Sequence, residues 1–79
     1  MIIRNSKQFG EIVRATRLKQ GLRQADLARK ASVRQALISD LETGVTNAKL
    51  ETVVKIIAAL GLDLSIVQRQ QAEFDPLGY

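Results

Sequence analysis

The middle of this 79-residue chain holds side chains that could recognise base pairs. Arg34 and Gln35 come first, and Ala36 and Ser39 follow. Arginine can form two hydrogen bonds with guanine, glutamine can do the same with adenine, and a methyl group such as that of Ala36 fits against the thymine methyl. These four residues therefore predict contacts with base edges in the major groove of duplex DNA.

These side chains can act together only if one helix presents them on a single face. In a helix over residues 34–43, Ile38 and Leu41 would point inward and leave the four candidate residues largely on the outer side. A shorter helix is predicted over residues 24–31, with a break near Ser32. Two short helices joined by a tight turn form a helix-turn-helix, whose second helix enters the major groove.

Two further helices complete a predicted all-α fold. Asn5, with Gln8 three residues later, matches a capping box for a first helix over residues 6–20. Gly21 is the expected stop of that helix. A fourth helix is predicted over residues 48–60. Its expected core positions are Leu50, Val53, Val54, Ile57 and Leu60.

The segment after the fourth helix alternates apolar and polar residues, which predicts a short strand. Its apolar positions, Leu62, Leu64 and Ile66, are the predicted dimerisation residues. A lone strand leaves its backbone groups unpaired, so it would pair either with residues 1–4 of the same chain or with its copy in a second subunit. We expect a dimer-forming sheet, which both pieces could join. An extra helical turn followed by coil is the alternative.

The chain divides into a DNA-binding and dimerisation domain over residues 1–69 and a flexible tail over residues 70–79. Short polar tails are usually disordered. The tail nevertheless ends with Phe74, Leu77 and Tyr79, which a partner could bury.

The composition argues against an enzyme. The chain has no cysteine and no histidine, so common nucleophiles, general bases and metal ligands are missing. Its dispersed glycines form no phosphate-binding loop. We therefore expect no catalytic residue, metal or cofactor. The sequence also shows neither a signal peptide nor a run near the roughly 20 apolar residues of a membrane span, which predicts a cytoplasmic protein.

Charge is distributed unevenly along the chain. Residues 1–34 carry nine basic and two acidic side chains, a net charge of +7, whereas residues 35–79 carry three basic and six acidic ones, a net charge of −3. A basic half suits a polyanion such as nucleic acid, although a solubilising surface would look the same. One tyrosine and two phenylalanines are too few for the stacking platform of a single-strand binder.

Residues 8 to 61 resemble the Cro/phage-repressor (Xre-type) helix-turn-helix family. The matching residues are Arg17, Gly21-Leu22, Gln24-Ala25-Asp26-Leu27-Ala28, Ile38-Ser39 and Leu41-Glu42-Thr43-Gly44. The resemblance implies a compact four- to five-helix, lambda-repressor-like domain. Other features look like HipB-type antitoxins. They are the strand-like N-terminus of the chain, the sequence of residues 33–39, the strand after the fourth helix and the apolar tail.

The family resemblance implies further DNA contacts outside the third helix. Gln24 would bind a backbone phosphate at the start of the second helix, where the helix terminus favours an anion. Arg23, which stands where the family usually has a capping Ser or Thr, would add charge near phosphates. Thr46, Asn47 and Lys49 would touch phosphate, although loop polarity explains them equally well. On the third helix, the resemblance assigns the four candidate residues to positions that reach bases or adjoining phosphates.

The resemblance also implies a structural pair and a biological role. Arg17 and Glu42 would form a partly buried ion pair between the first and third helices. The chain would be a homodimeric repressor that binds double-stranded palindromic operator DNA, and the autoregulating antitoxin of a HipA-like kinase toxin. The alternatives are a stand-alone Xre-type repressor without a toxin and a dimeric protein-interaction adaptor. The adaptor would need neither this combination of polar residues nor the basic half.

Overall fold

The structure is a computed structural model and describes residues 2–69. It contains four helices: α1 (Ser6–Lys19), α2 (Gln24–Ala31), α3 (Gln35–Glu42) and α4 (Leu50–Ala59). The prediction for α2 is confirmed, and the other helices begin and end within two residues of their predicted limits. The tail residues Phe74, Leu77 and Tyr79 lie outside the described part of the chain.

Local side chains explain where the helices begin and end. The Asn5 carboxamide oxygen accepts a hydrogen bond from the Gln8 backbone N–H at 2.8 Å and so caps α1. Gly21 and Gly44 follow α1 and α3 with φ angles of 72° and 74°, a left-handed geometry that glycine adopts without steric cost. Ser32 adopts the same region at φ 57° in the turn between α2 and α3. This turn gives the pair its helix-turn-helix form.

The four helices share one apolar core. α1 and α2 both pack against α3, and α4 packs against α2. The buried members are Phe9, Val13, Leu27, Ala28, Ala31, Ile38, Leu41, Ile56, Ile57 and Leu60. The inner side of α3 is thus fixed by contacts with two neighbouring helices.

The prediction of core positions on α4 was partly wrong. Leu50 and Val54 are 69% and 47% exposed, whereas Ile56, which was not predicted, is fully buried. α4 carries apolar residues on more than one side, and helical spacing alone does not decide which side faces the neighbouring helices. Ile57 and Leu60 are buried as predicted.

Gly10 lies inside α1 and marks the closest approach of α1 to α3. A Cβ atom built on Gly10 would lie 1.8 Å from the Leu41 carbonyl oxygen and 2.8 Å from the Leu41 carbonyl carbon. Both atoms belong to the backbone, so no change of rotamer could relieve the contact. The absence of a side chain at Gly10 therefore allows α1 to seat against the end of α3.

No strand occurs within residues 2–69, so the strand predicted over residues 62–66 is absent from the single chain. Residues 62–69 follow α4 without regular structure, and no backbone hydrogen bond joins residues 62–68 to residues 2–4. A strand needs a neighbour for its backbone groups, and residues 2–69 do not supply one. Pairing with a second copy stays a prediction. Among the described helices, none has the length and apolar character needed to cross a membrane.

Candidate nucleic-acid interface

α3 has one side that is buried in the core and one side that faces outward. Ile38 and Leu41 are essentially inaccessible to solvent. The residues predicted to read bases lie together on the opposite side. Arg34, Gln35 and Ala36 are exposed there, and Ser39 is half-buried. We call these four residues the α3 outer face. They cluster at the N-terminal half of α3, which is the part of a recognition helix that meets base edges.

A bidentate ion pair anchors the other end of α3. Arg17 Nε and Nη2 donate to the two carboxylate oxygens of Glu42 at 2.7 and 2.9 Å, and both side chains are nearly inaccessible. Arg17 Nη1 also donates to the Leu22 carbonyl oxygen at 2.8 Å. The hydrogen bond with Glu42 raises the pKa of Arg17. The ion pair implied by the resemblance is therefore present, and it joins α1, the turn after α1 and the end of α3.

Gln24 shares the carboxylate of this ion pair. Its side-chain nitrogen donates to Glu42 Oε1 at 3.2 Å from the first residue of α2. A carboxamide nitrogen carries two hydrogens, so this bond leaves a second donor for another acceptor. Gln24 is half-buried, and its partner Glu42 lies 18 positions away in the sequence. The residues next to Gln24 therefore do not reveal this hydrogen bond.

Arg23 is engaged by Asp26. The Asp26 carboxylate accepts from the Arg23 backbone N–H at 2.9 Å and from Arg23 Nε and Nη2 at 3.1 Å, and it also accepts from Arg29 Nη2 at 3.1 Å. The hydrogen bonds from Arg23 lower the pKa of Asp26 to about 2. Part of the positive charge at Arg23 is thereby neutralised. Arg23 is the N-cap residue of α2 and Asp26 follows three positions later, a spacing typical of a capping box that could have revealed this pairing.

The loop before α4 presents one cation and two hydrogen-bonded polar side chains. Lys49 is exposed at the N-cap of α4. Asn47 Oδ1 accepts from Ser6 Oγ at 2.6 Å, and Thr46 Oγ1 donates to the Asn47 carbonyl oxygen at 3.4 Å. Ser6 and Asn47 lie 41 positions apart, so no local pattern predicts the contact. It ties the loop to the start of α1.

The predicted dimerisation residues border a groove formed by both ends of the described chain. Leu62 and Leu64 are about half exposed, and Ile66 is 97% exposed. We call this the terminal groove, and its lining includes Ile2, Ile3, Phe9, Ile57, Leu62, Leu64 and Ile66. The structure thus brings the two ends of the described chain to one groove, whose lining also includes Arg4, Asp63 and Gln68.

Acidic side chains that could hold a metal do not come together. Within residues 2–69, no group of three or more His, Cys, Asp or Glu residues is placed to bind a metal ion. Asp26 and Glu42 are instead paired with arginines.

Two of the similar relatives have a length comparable to that of this chain. An uncharacterized HTH-type transcriptional regulator of Sinorhizobium fredii is 35% identical over 65 residues, which cover 82% of this chain and 86% of that protein. The antitoxin HipB of Escherichia coli is 31% identical over 65 residues, which cover 82% of this chain and 74% of that protein. An uncharacterized HTH-type regulator of Haemophilus influenzae is 42% identical over 52 residues, and the match spans only 53% of that protein.

Solved structures with the same fold also include HipB. A chain of the HipA-HipB-O2-O3 complex superposes with a TM-score of 0.77 at 29% identity, covering 86% of this chain and 96% of that chain. The restriction-modification controller protein of Aeromonas hydrophila gives a TM-score of 0.71 at 28% identity, covering 73% of this chain and 88% of that chain. A helix-turn-helix family model matches residues 13–67. The chain therefore belongs to the helix-turn-helix family of transcriptional regulators, in a group that includes the HipB antitoxins.

Proposed function

We propose that this protein is a sequence-specific, double-stranded DNA-binding repressor that works as a homodimer. The observation that carries the proposal is the α3 outer face, where Arg34, Gln35 and Ala36 are exposed while the opposite side of the helix is buried. Side chains of these types match base edges in the major groove. Two copies would place their α3 helices in successive major grooves of a palindrome, roughly 34 Å apart.

The surroundings of α3 support contacts with the phosphate backbone. Gln24 keeps one amide hydrogen available beside the end of α3, and Lys49 is exposed at the start of α4. Arg23 would contribute less than a free arginine, because Asp26 holds its guanidinium. Phosphate contacts would supply much of the affinity and make it fall steeply with salt concentration.

The decisive test compares two charge reversals of equal size. Arg34→Glu changes the α3 outer face, whereas Arg14→Glu changes an exposed residue of α1. Binding to a palindrome selected from random duplexes would be measured by fluorescence anisotropy at several salt concentrations. We expect Arg34→Glu to weaken binding at least about tenfold more than Arg14→Glu does, because it also removes a base contact worth about 1–3 kcal/mol. Equal losses for the two variants would point to nonspecific attraction only.

The more specific part of the proposal is that the protein is the autoregulating antitoxin of a HipA-like kinase toxin. It is supported by the likeness to HipB, which one of the matching structures contains together with HipA. Purification from the native host at mild salt, with identification of co-eluting protein and DNA, tests this role. A dimer that brings down a kinase-like protein and a palindromic fragment would support it. A dimer with DNA alone would leave a stand-alone repressor, and a monomer that ignores duplex DNA would favour the adaptor.

A further inference from the structure

α4 carries an apolar surface that its own chain leaves uncovered. Leu50 and Val54 are 69% and 47% exposed, and Ala58 follows at the next turn and is also exposed. Residues spaced by four lie above one another on the same side of a helix. Scattered apolar residues are normal on a surface, whereas a contiguous patch marks a site of interaction. We call Leu50, Val54 and Ala58 the α4 stripe.

The charges beside the α4 stripe are self-complementary. Glu51 and Lys55 are exposed, lie four residues apart and adjoin the stripe, and no ion pair is recorded between them within residues 2–69. In a twofold contact the same patch faces itself. Each contact between one residue and a different residue of the second copy therefore occurs twice. If two α4 helices pack antiparallel, Glu51 comes near Lys55 of the partner subunit, and the reciprocal pair forms as well.

The three predicted dimerisation residues are too few to form a stable interface by themselves. A standard protein interface involves roughly 20–30 residues on each side, far more than Leu62, Leu64 and Ile66. Ile57 lies one turn beyond Val54 and lines the terminal groove. The α4 stripe and the terminal groove are therefore adjacent along α4.

From these observations we infer that the α4 stripe packs antiparallel against the α4 stripe of a second copy of this chain. The occupant is a second copy because the flanking charges match their own twofold image, and because α4 also contributes Ile57 to the terminal groove, where dimerisation is predicted. This inference rests on the proposed dimeric regulator and adds a helix–helix contact to it. Leu50 and Val54 become interface residues, together with Glu51 and Lys55 at its edge.

The first test introduces a charge into the stripe. Val54→Glu would be compared with Leu18→Glu, which changes an apolar residue that is 50% exposed on α1. Sedimentation equilibrium at several protein concentrations gives the dimer dissociation constant, and far-UV circular dichroism checks that the helices persist. We expect Val54→Glu to raise the dissociation constant at least about tenfold, because a carboxylate would lose its hydration in the contact. Leu18→Glu should leave it unchanged.

The second test exchanges the charges that flank the stripe. It therefore does not require the fold to accept a charge at Val54. Lys55→Glu alone places like charges opposite each other and should weaken the dimer. Lys55→Glu combined with Glu51→Lys restores opposite charges across a twofold contact, so dimerisation should recover. A different protein docked on the stripe would keep its own charges, and the double variant would not recover its binding.

The outcomes separate this inference from the proposed function. A wild-type protein that is monomeric and ignores duplex DNA would overturn the dimeric repressor itself. A wild-type dimer that binds DNA, with Val54→Glu still dimeric and Lys55→Glu without effect, would overturn only the α4 contact. Retained dimers that lose a co-purified protein would also overturn it, since the stripe would then serve another partner.

Discussion

Replacing Gly10 by alanine tests how closely α1 approaches α3. Two effects oppose each other in this variant. Alanine is a better helix former than glycine in a helix interior by about 1 kcal/mol, so local propensity predicts a stabilised α1. The structure predicts the reverse, because the new methyl group would lie 1.8 Å from the Leu41 carbonyl oxygen.

The size of the clash decides which effect prevails. An ordinary contact between a carbon atom and a neighbouring heavy atom is about 3.5 Å, so the two helices would have to separate by more than about 1.5 Å. Overpacking of this kind costs about 1–3 kcal/mol and sometimes more. Here the obstructing atoms are backbone, which places the cost at or above the upper end of that range. After subtracting the propensity gain, we expect a net loss of about 2 kcal/mol or more from a stability of about 4–12 kcal/mol for a chain of this length.

Urea denaturation followed by far-UV circular dichroism would measure the free energy of unfolding of Gly10→Ala. The matched control is Ala15→Gly, which reports helix propensity alone at an exposed position of α1 and should cost about 1 kcal/mol. A Gly10→Ala protein that is as stable as the wild type, or more stable, would refute the close approach. Because Gly10 seats α1 on the end of α3, weaker DNA binding should accompany the loss of stability.

Three further predictions concern charged side chains. Glu42→Ala should lower the free energy of unfolding by about 3–5 kcal/mol because it leaves the Arg17 charge buried without a partner, and combining Arg17→Met with Glu42→Leu should recover much of that loss in urea denaturation. The pKa of Asp26 is about 2 in the folded protein, whereas the ordinary value, expected in the unfolded chain, is 3.8. Its contribution to stability is therefore present above about pH 4 and is lost as the pH falls towards 2. The difference in melting temperature between wild type and Asp26→Asn should accordingly shrink over that range, and a difference that does not depend on pH would contradict the assignment. Lys49→Ala should reduce the slope of log affinity for duplex DNA against log salt concentration by about two, about one for each subunit of the dimer, and an unchanged slope would exclude a phosphate contact at Lys49.

Local signals were sufficient to predict the helices. Asn5 and the glycines at 21 and 44 mark helix ends by capping and backbone geometry, which depend on neighbouring residues only. The buried side of α3 was likewise predicted from the spacing of Ile38 and Leu41, because α3 has a single apolar side.

Contacts between distant segments were not accessible to the same reasoning. α4 is apolar on more than one side, so its spacing could not show that Ile56 is buried and Leu50 is not. The role of Gly10 depends on where α3 lies, and the bond from Gln24 depends on the position of Glu42. The strand predicted over residues 62–66 would need a neighbour for its backbone groups, and local spacing does not show which segment would supply it.

The division of α3 into two sides has a consequence for how such a protein can diverge. Ile38 and Leu41 hold the helix in the core, while Gln35 and Ala36 face outward and take no part in that core. Under the proposed function, substitutions at Gln35 and Ala36 would therefore alter which base pairs are preferred while leaving the free energy of unfolding nearly constant. A lineage of these regulators could acquire new target sequences by changing two adjacent codons, without passing through unfolded intermediates.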